Sequence, residues 1–308
     1  MSKALITLFS APKPFVDTHI SIIQENALRS WKNLAPDVEI LLMGAEEGLA
    51  DAASRLGIQY FPGVACNQLG TPLISSMLEI AHRESQAPVL GIINTDIIVF
   101  RTLLEAVRLS RQRFDRFVLI GQRWDMEITD HLGDFQEVHD SLMEKMYAHA
   151  VLHPPMGSDY FLFPRACYRS IPDFAIGRAG WDNWFIFKSR FEGWNLIDAT
   201  ADNPIIHQNH DYRHLPGGQP HYRLPETRQN VIEAGGEYTI YSIFDAQYQM
   251  ADHTIVKKQI TWKKMLREVE IFPITKLRSQ ILGKIFYWFI HPRKAYFTFR
   301  KWLDGQSG

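Results

Sequence analysis

The chain has 308 residues, 46% of them hydrophobic and 22% charged, which excludes collagen-like, low-complexity and disordered classes and sets the size at one large domain or two small ones. The net charge of −1 hides an uneven spread: residues 257–303 carry twelve Lys/Arg and two acids, Glu268 and Glu270, a local balance of +10 against −11 for the rest. Two cysteines, Cys66 and Cys167, exclude a disulfide scaffold and point to a reduced, cytoplasmic chain, while the absence of a long apolar run, at the start or elsewhere, predicts neither a signal peptide nor a membrane span.

The first 121 residues alternate between two periodicities. Lys3–Phe9 reads as a buried strand that stops at Ser10-Ala11-Pro12. Ile20–Leu34 has helical spacing at Ile20, Ile23, Ala27 and Trp31. Val38–Met43 is a second strand, Glu46–Leu56 a helix and Ile58–Phe61 a short third strand. Thr71–Glu84 is a helix with Thr71 as cap candidate and Pro72 in its first turn. Val89–Ile93 is the most apolar strand, Leu103–Arg111 a helix and Phe117–Gly121 a fifth strand. This order predicts an α/β fold with a mostly parallel sheet flanked by helices, whose ligands lie beyond the carboxyl ends of the strands. After Gly121 the pattern turns irregular and aromatic, and a break near Gln249–Lys258 precedes the basic tail.

Four segments carry candidate chemistry. Asn94-Thr95-Asp96 ends the most buried strand; its oxygens suit a divalent cation on a phosphate, and equally suit a turn. Asp159 follows Gly157 and opens an aromatic run, Tyr160-Phe161-Leu162-Phe163. Asp182 sits between Trp181 and Trp184 after Gly177 and Gly180. A carboxyl against indole faces is raised in pKa and suits a general base, although the same residue also suits a helix N-cap. His207, His210 and His214 are spaced as metal ligands, but Pro204 and Pro216 exclude a long helix, so one histidine joining a carboxylate-held metal is the better reading. No glycine fingerprint follows the first strand, which disfavours a dinucleotide-binding dehydrogenase.

In this order and spacing the four segments resemble the GT-A class of nucleotide-sugar glycosyltransferases, over roughly residues 3–220. The resemblance implies a GT-A fold over 1–256, with a nucleotide-sugar half to about 121 and an acceptor half over 122–256. It implies transfer of a hexose-like sugar from a nucleotide-diphosphate donor to a glycan or lipid-linked hydroxyl, with Mn²⁺ or Mg²⁺ and with inversion. Asn94-Thr95-Asp96 stands where the class carries its acidic triplet, with Asn in the first acidic place, so Asp96 carries most of the ligation and Asn94→Asp is expected to keep or strengthen metal binding. Asp182 takes the place of the acceptor base, with Asp159 next in line. His207 or His210 completes the metal shell, Phe9 and Ser10 face the nucleotide, and Arg178 or Arg213 adds positive charge. The alternative is a non-catalytic carbohydrate-binding or scaffold protein on the same fold, which Asn94 favours.

The tail, 257–308, reads as basic and amphipathic. Ile274, Leu277, Ile281, Leu282, Ile285, Phe286 and Phe289 fall on one helical stripe, and Tyr296, Phe297, Phe299 and Trp302 follow among Arg and Lys. Two occupants of that stripe are expected on equal terms, an anionic membrane on the cytoplasmic face and the catalytic domain itself. No nucleic-acid module accompanies the charge, so nucleic acid is not an expected partner.

Overall fold

A computed structural model of the chain describes residues 4–210, 224–294 and 296. Strand β1 (Ile6–Ser10) is followed by α1 (Thr18–Lys32), β2 (Val38–Met43), α2 (Leu49–Leu56), β3 (Gln59–Phe61), α3 (Ile74–Glu84) and β4 (Val89–Ile93). The alternation expected over the first 121 residues is present, with boundaries shifted by a few residues. One shift has a clear cause. Thr71 does not cap α3: the Asn67 side chain accepts from the Thr71 N–H, and Leu73 N–H donates to Ala65. These bonds hold 65–73 as a closed loop, so the helix starts only at Ile74.

Beyond β4 come β5 (Ile97–Val99), α4 (Thr102–Arg113) and β6 (Phe117–Ile120). The stretch that reads as irregular in sequence contains β7 (Trp124–Met126), α5 (Phe135–His149), β8 (Val151–Leu152), β9 (Tyr160–Pro164), α6 (Trp181–Glu192), β10 (Asn195–Asp198), β11 (Ile205–Gln208) and α7 (Pro225–Glu233). Its strands are two to five residues long, too short for a period of two to declare itself. Gln249–Lys258 is not a break but mostly a hairpin, β12 (Tyr248–Ala251) with β13 (Thr254–Lys257), that closes one edge of the main sheet.

The main sheet runs β13-β12-β10-β6-β9-β4-β1-β2-β3. Its pairings are parallel except around β9 and at the β12–β13 hairpin. One core cluster packs α3 and α6 on one face of the sheet; a second packs α1, α2 and α4 on the other. A smaller sheet, β5-β11-β7-β8, carries α5 and its own apolar cluster. Strands β2 and β3 lie to one side of β1, and β4 lies to the other. The order reverses between β1 and β4, and such a switch point leaves a crevice beyond the strands' carboxyl ends. Ser10 and Asn94 stand at that crevice.

The tail packs as α8 (Trp262–Glu270), the short α9 (Phe272–Thr275) and α10 (Gln280–Ile290). The single stripe expected from Ile274 to Phe289 is interrupted. Arg278 adopts the left-handed region at φ +52°, and Ser279 caps α10 by accepting from Leu282 N–H at 3.2 Å. Ile274 turns inward onto Gly283, where an added Cβ would lie 2.1 Å from its Cδ1. No described helix is long and apolar enough to cross a membrane. Phe297, Phe299, Trp302, Arg213 and His214 lie outside the described residues.

Candidate functional site

Residues Asn94 to Ile97 form a tight turn, with Ile97 N–H donating to Asn94 O at 3.2 Å. The segment is therefore a turn, and the turn aims Asp96 into the crevice. Gln208 N–H donates to Asp96 O, and β11 pairs with β5, so His207 and His210 are carried to the same place. One ligand atom each from Asp96, His207 and His210 lies within 4.8 Å of the others. Asp96 Oδ1 is buried without a hydrogen-bond partner, an uncommon condition for a carboxylate oxygen unless another group belongs there.

The donor set fits a divalent cation. A carboxylate and two imidazoles in this span need only small adjustments to reach bonds of about 2.0–2.2 Å. Imidazole nitrogen favours Mn²⁺ over the harder Mg²⁺. The second set of contacts supports the same use. His207 Nδ1 lies 3.0 Å from Asp125 Oδ1, at ion-pair distance though not aligned as a hydrogen bond. That contact fixes the ring and leaves Nε2 for a ligand bond, a common arrangement behind metal-binding histidines. Asp125 also receives Arg123 Nε at 2.8 Å and His153 Nδ1 at 2.7 Å.

Lys13 occupies the crevice from the other side. Its Nζ lies 3.1 Å from Asp96 Oδ2 and 2.8 Å from His210 Nε2. The loop holding it is fixed: Gln24, itself buried, accepts from Lys13 N–H and donates to Lys13 O, and prolines flank it on both sides. Burial alone would push the Asp96 carboxyl up, but Lys13, His210 and His207 outweigh it and hold the group well below the usual carboxylate range. Asp125 is likewise held low, against its burial, by His207, Arg123 and His153.

Arg123 links this cluster to a second. Its Nη1 lies 2.8 Å from Asp159 Oδ1, and Asn94 Nδ2 donates to the same oxygen at 2.9 Å. Asn94 thus faces Asp159 and not the Asp96 cluster. An aspartate in its place would set two carboxylates against each other, contrary to the expectation that the change helps metal binding. Asp159 immediately precedes β9; because β9 runs antiparallel to β4, Tyr160 pairs with Ile93 and Asp159 O accepts from Asn94 N–H at the carboxyl end of β4.

Asp182 stands beside Asp159. It lies in the first turn of α6; the cap position is Gly180 (φ +106°), whose N–H donates to Asp182 Oδ1 at 3.3 Å. The N-cap role offered by the sequence therefore passes to Gly180. Burial pushes the Asp182 carboxyl up to about 6, and the neighbouring Asp159 adds to the rise, against lowering bonds from backbone N–H groups. A Cβ on Gly157 would lie 2.1 Å from Asp182 Oδ2, so only glycine lets the backbone approach this carboxyl so closely.

The remaining expected residues lie differently. Phe9 is fully buried in the core, and Ser10 donates to Ile93 O at 2.6 Å while almost wholly inaccessible. Neither side chain reaches the crevice surface; from the loop after this strand it is Lys13 that does, beside Asp96 and His210. Arg178 forms its own cluster, with Nε 2.6 Å from Glu226 Oε2 and Thr71 nearby. Lys13, Arg123, Asp125 and His153 were not singled out by sequence. Arg123 and Asp125 alternate just past an apolar strand, the one pattern that marks two polar side chains on a shared face; Lys13 and His153 carry no such mark.

No family model matches the chain, and no curated protein does. Solved structures that it is similar to include the mannosyltransferase PcManGT from Pyrobaculum calidifontis in complex with GDP-Man and Mn²⁺, at 12% identity and TM-score 0.45, covering 76% of this chain. The chain spans 63% of that protein's length. Glucosyl-3-phosphoglycerate synthase from Mycobacterium tuberculosis is similar at 14% identity and TM-score 0.45, over 84% of this chain and 88% of that one. The same enzyme in complex with Mg²⁺ and UDP gives 12% and 0.44 over the same shares. At this distance the likeness carries nothing about what this chain binds or does.

Proposed function

We propose that the chain is a nucleotide-sugar glycosyltransferase of the GT-A type, moving a hexose-like sugar to an acceptor hydroxyl with inversion. One observation carries the reading: Asp96, His207 and His210 converge at the switch point of the sheet, Arg123 ties Asp125 behind His207 to Asp159, and Asp182, its carboxyl pushed up to about 6 by burial, stands beside Asp159. A cluster of metal-ligand donors beside a carboxyl of raised pKa favours chemistry over a bare scaffold.

Mn²⁺ or Mg²⁺ held by Asp96, His207 and His210 would supply charge stabilisation to a departing diphosphate. Lys13 adds a fixed ammonium for the phosphate oxygens. Arg123 orients Asp159 and Asp125. Asp182, as the carboxylate, accepts the proton of the acceptor hydroxyl while its oxygen bonds to the anomeric carbon. The bond from that carbon to the diphosphate oxygen breaks, and its electron pair leaves with the diphosphate. One base and direct attack give inversion. On this reading residues 1–256 are the catalytic unit, and the acceptor is a glycan or a lipid-linked glycan, with the chain held at an anionic membrane surface by 257–308.

The test is a screen of nucleoside-diphosphate sugars by thermal shift with and without Mn²⁺, followed by turnover of those that bind. A donor at a hundred times its Kd stabilises the native state by about 2.7 kcal/mol. Absence of any Mn²⁺-dependent shift across the common donors would exclude the reading.

A further inference from the structure

Helix α8 is mounted with its polar side inward. Lys264 is buried, with Nζ 2.7 Å from Phe244 O and 3.1 Å from Glu268 Oε1. Glu268 pairs with the buried Arg190 at 2.7 Å. Arg267 Nε lies 2.8 Å from Asp245 Oδ1, and its guanidinium sits 4.6 Å above the Tyr241 ring. Glu270 joins Arg267 to His291, which follows α10. The apolar side faces out: Trp262 is 70% exposed, Leu266 52% and Val269 55%. Helix α10 also turns apolar side chains outward, over an inner face that packs on Ile274. Gly283 and Tyr287 form its buried face, while Ile281, Ile285 and Phe289, one turn apart, are 76%, 60% and 80% exposed.

A helix on a water-facing surface does the reverse, burying its apolar stripe and exposing charge. Beneath α8 the interior contacts are mostly ion pairs, which hold that helix firmly but gain little over apolar packing. The apolar side chains stay outside, where a clustered patch marks an interaction site. The charge around them is mostly of one sign. Seven charged residues between 257 and 294 are exposed, and all are Lys or Arg; the two acids there, Glu268 and Glu270, are less exposed and ion-paired. Of the two occupants expected for the stripe, the catalytic domain takes only Ile274 and the opposite face of α10.

We infer that α8 and α10 form a fixed docking face for an anionic lipid bilayer, with Trp262, Leu266, Val269, Ile281, Ile285 and Phe289 entering the interface and Lys/Arg meeting the headgroups. Exposed apolar side chains together with a mostly cationic rim, in which Glu237 is paired with Lys294, are what such a surface selects. The inference deepens the proposed function by naming where its acceptor is met, and rests on it for that alone; binding to lipid stands or falls without any turnover.

The experiment is flotation of the full chain with vesicles of phosphatidylglycerol and phosphatidylcholine against phosphatidylcholine alone. Binding to the anionic vesicles is expected, weakening in high salt. The triple variant Ile281→Ser, Ile285→Ser, Phe289→Ser is expected to lose at least tenfold in partition with its circular dichroism and Tm kept, since these side chains pack on nothing inside. Lys276→Gln with Lys284→Gln is expected to weaken partition about fivefold per lysine, and serves if the triple variant fails to fold. No flotation of the wild type, or equal flotation of both variants, overturns the inference. So does a concentration-dependent dimer, lost in the triple variant, from a chain that ignores vesicles, which would assign the face to a second copy. A chain that floats but shows no donor-dependent shift would sink the glycosyltransferase reading and leave the docking face standing.

Discussion

Replacing Asp182 by Asn separates a catalytic carboxylate from a structural one, because the two roles predict opposite signs for stability. The carboxyl titrates near 6 in the folded chain and near 3.9 in an unfolded one. Above pH 6 the folded state therefore carries a charged group it holds poorly. A rise of about two units corresponds to roughly 3 kcal/mol, and because the side chain is partly exposed we expect about half of that, 1–2 kcal/mol, to count against folding. Asparagine keeps the shape and can still accept from Gly180 N–H, but carries no charge. At pH 8 the variant is expected to be more stable by about 1–2 kcal/mol, or about 1.5–3 °C in Tm. The gain shrinks as pH falls from 6 toward 4, where the wild-type carboxyl becomes neutral in both states. Turnover should fall by about 10²–10⁴-fold. In the wild type kcat/KM should drop tenfold per pH unit below about 6, a midpoint that the neighbouring Asp159 shifts upward. Thermal melts from pH 4 to 8, with initial rates over the same range, read both effects. A variant that is less stable at pH 8, or that retains more than a tenth of the rate, would assign Asp182 to holding the start of α6 and not to proton transfer.

Asp96→Ala is expected to abolish Mn²⁺ binding measured by calorimetry or electron paramagnetic resonance, with the fold retained; unchanged affinity would remove Asp96 from the metal set. Lys13→Met removes a cation that competes at Asp96 and His210, so Mn²⁺ alone should bind more tightly while a nucleoside diphosphate binds at least tenfold more weakly; losses in both would refute the role given to Lys13. Gly157→Ala must displace the Asp182 carboxyl, and a displacement near 1 Å typically costs about 10²-fold in rate, so kcat should fall with donor affinity unchanged. Asn94→Asp sets a carboxylate against Asp159 and is expected to lower Tm; a higher Tm with tighter Mn²⁺ binding would restore the sequence-based expectation.

What could be read from the sequence was what is local. Val89–Ile93 announces a buried strand, and the polar triplet after it announces an interruption, so Asp96 could be named. The Gly-Trp-Asp segment could be named because glycines and indoles are rare enough to notice. Lys13 could not, since its meaning depends on His210, 197 residues away in sequence. Phe9 and Ser10 drew attention by their place at a strand end, but whether a side chain at that end points to the crevice or the core follows from sheet packing. The orientation of α8 was also out of reach: the sequence shows two faces and not which one turns inward, a choice made by Arg190 and Asp245 from distant segments.

The position of β9 has a consequence for how the chain comes off the ribosome. Strands β4 and β6 are separated in the sheet by β9, which follows them both in sequence. Until residue 164 has emerged, the nascent sheet ends at an unpaired edge on Val89–Ile93, and Phe117–Ile120, whose partners β9 and β10 both come later, has no partner strand; each carries unpaired N–H and C=O groups on an apolar strand. Edges of this kind recruit strands from other chains. A fragment ending at residue 121 would keep those edges for good. It should aggregate, while the whole chain joins the two by inserting β9 between them and covers the far side of β6 with β10; β9 is also the strand whose approach delivers Asp159 to the crevice.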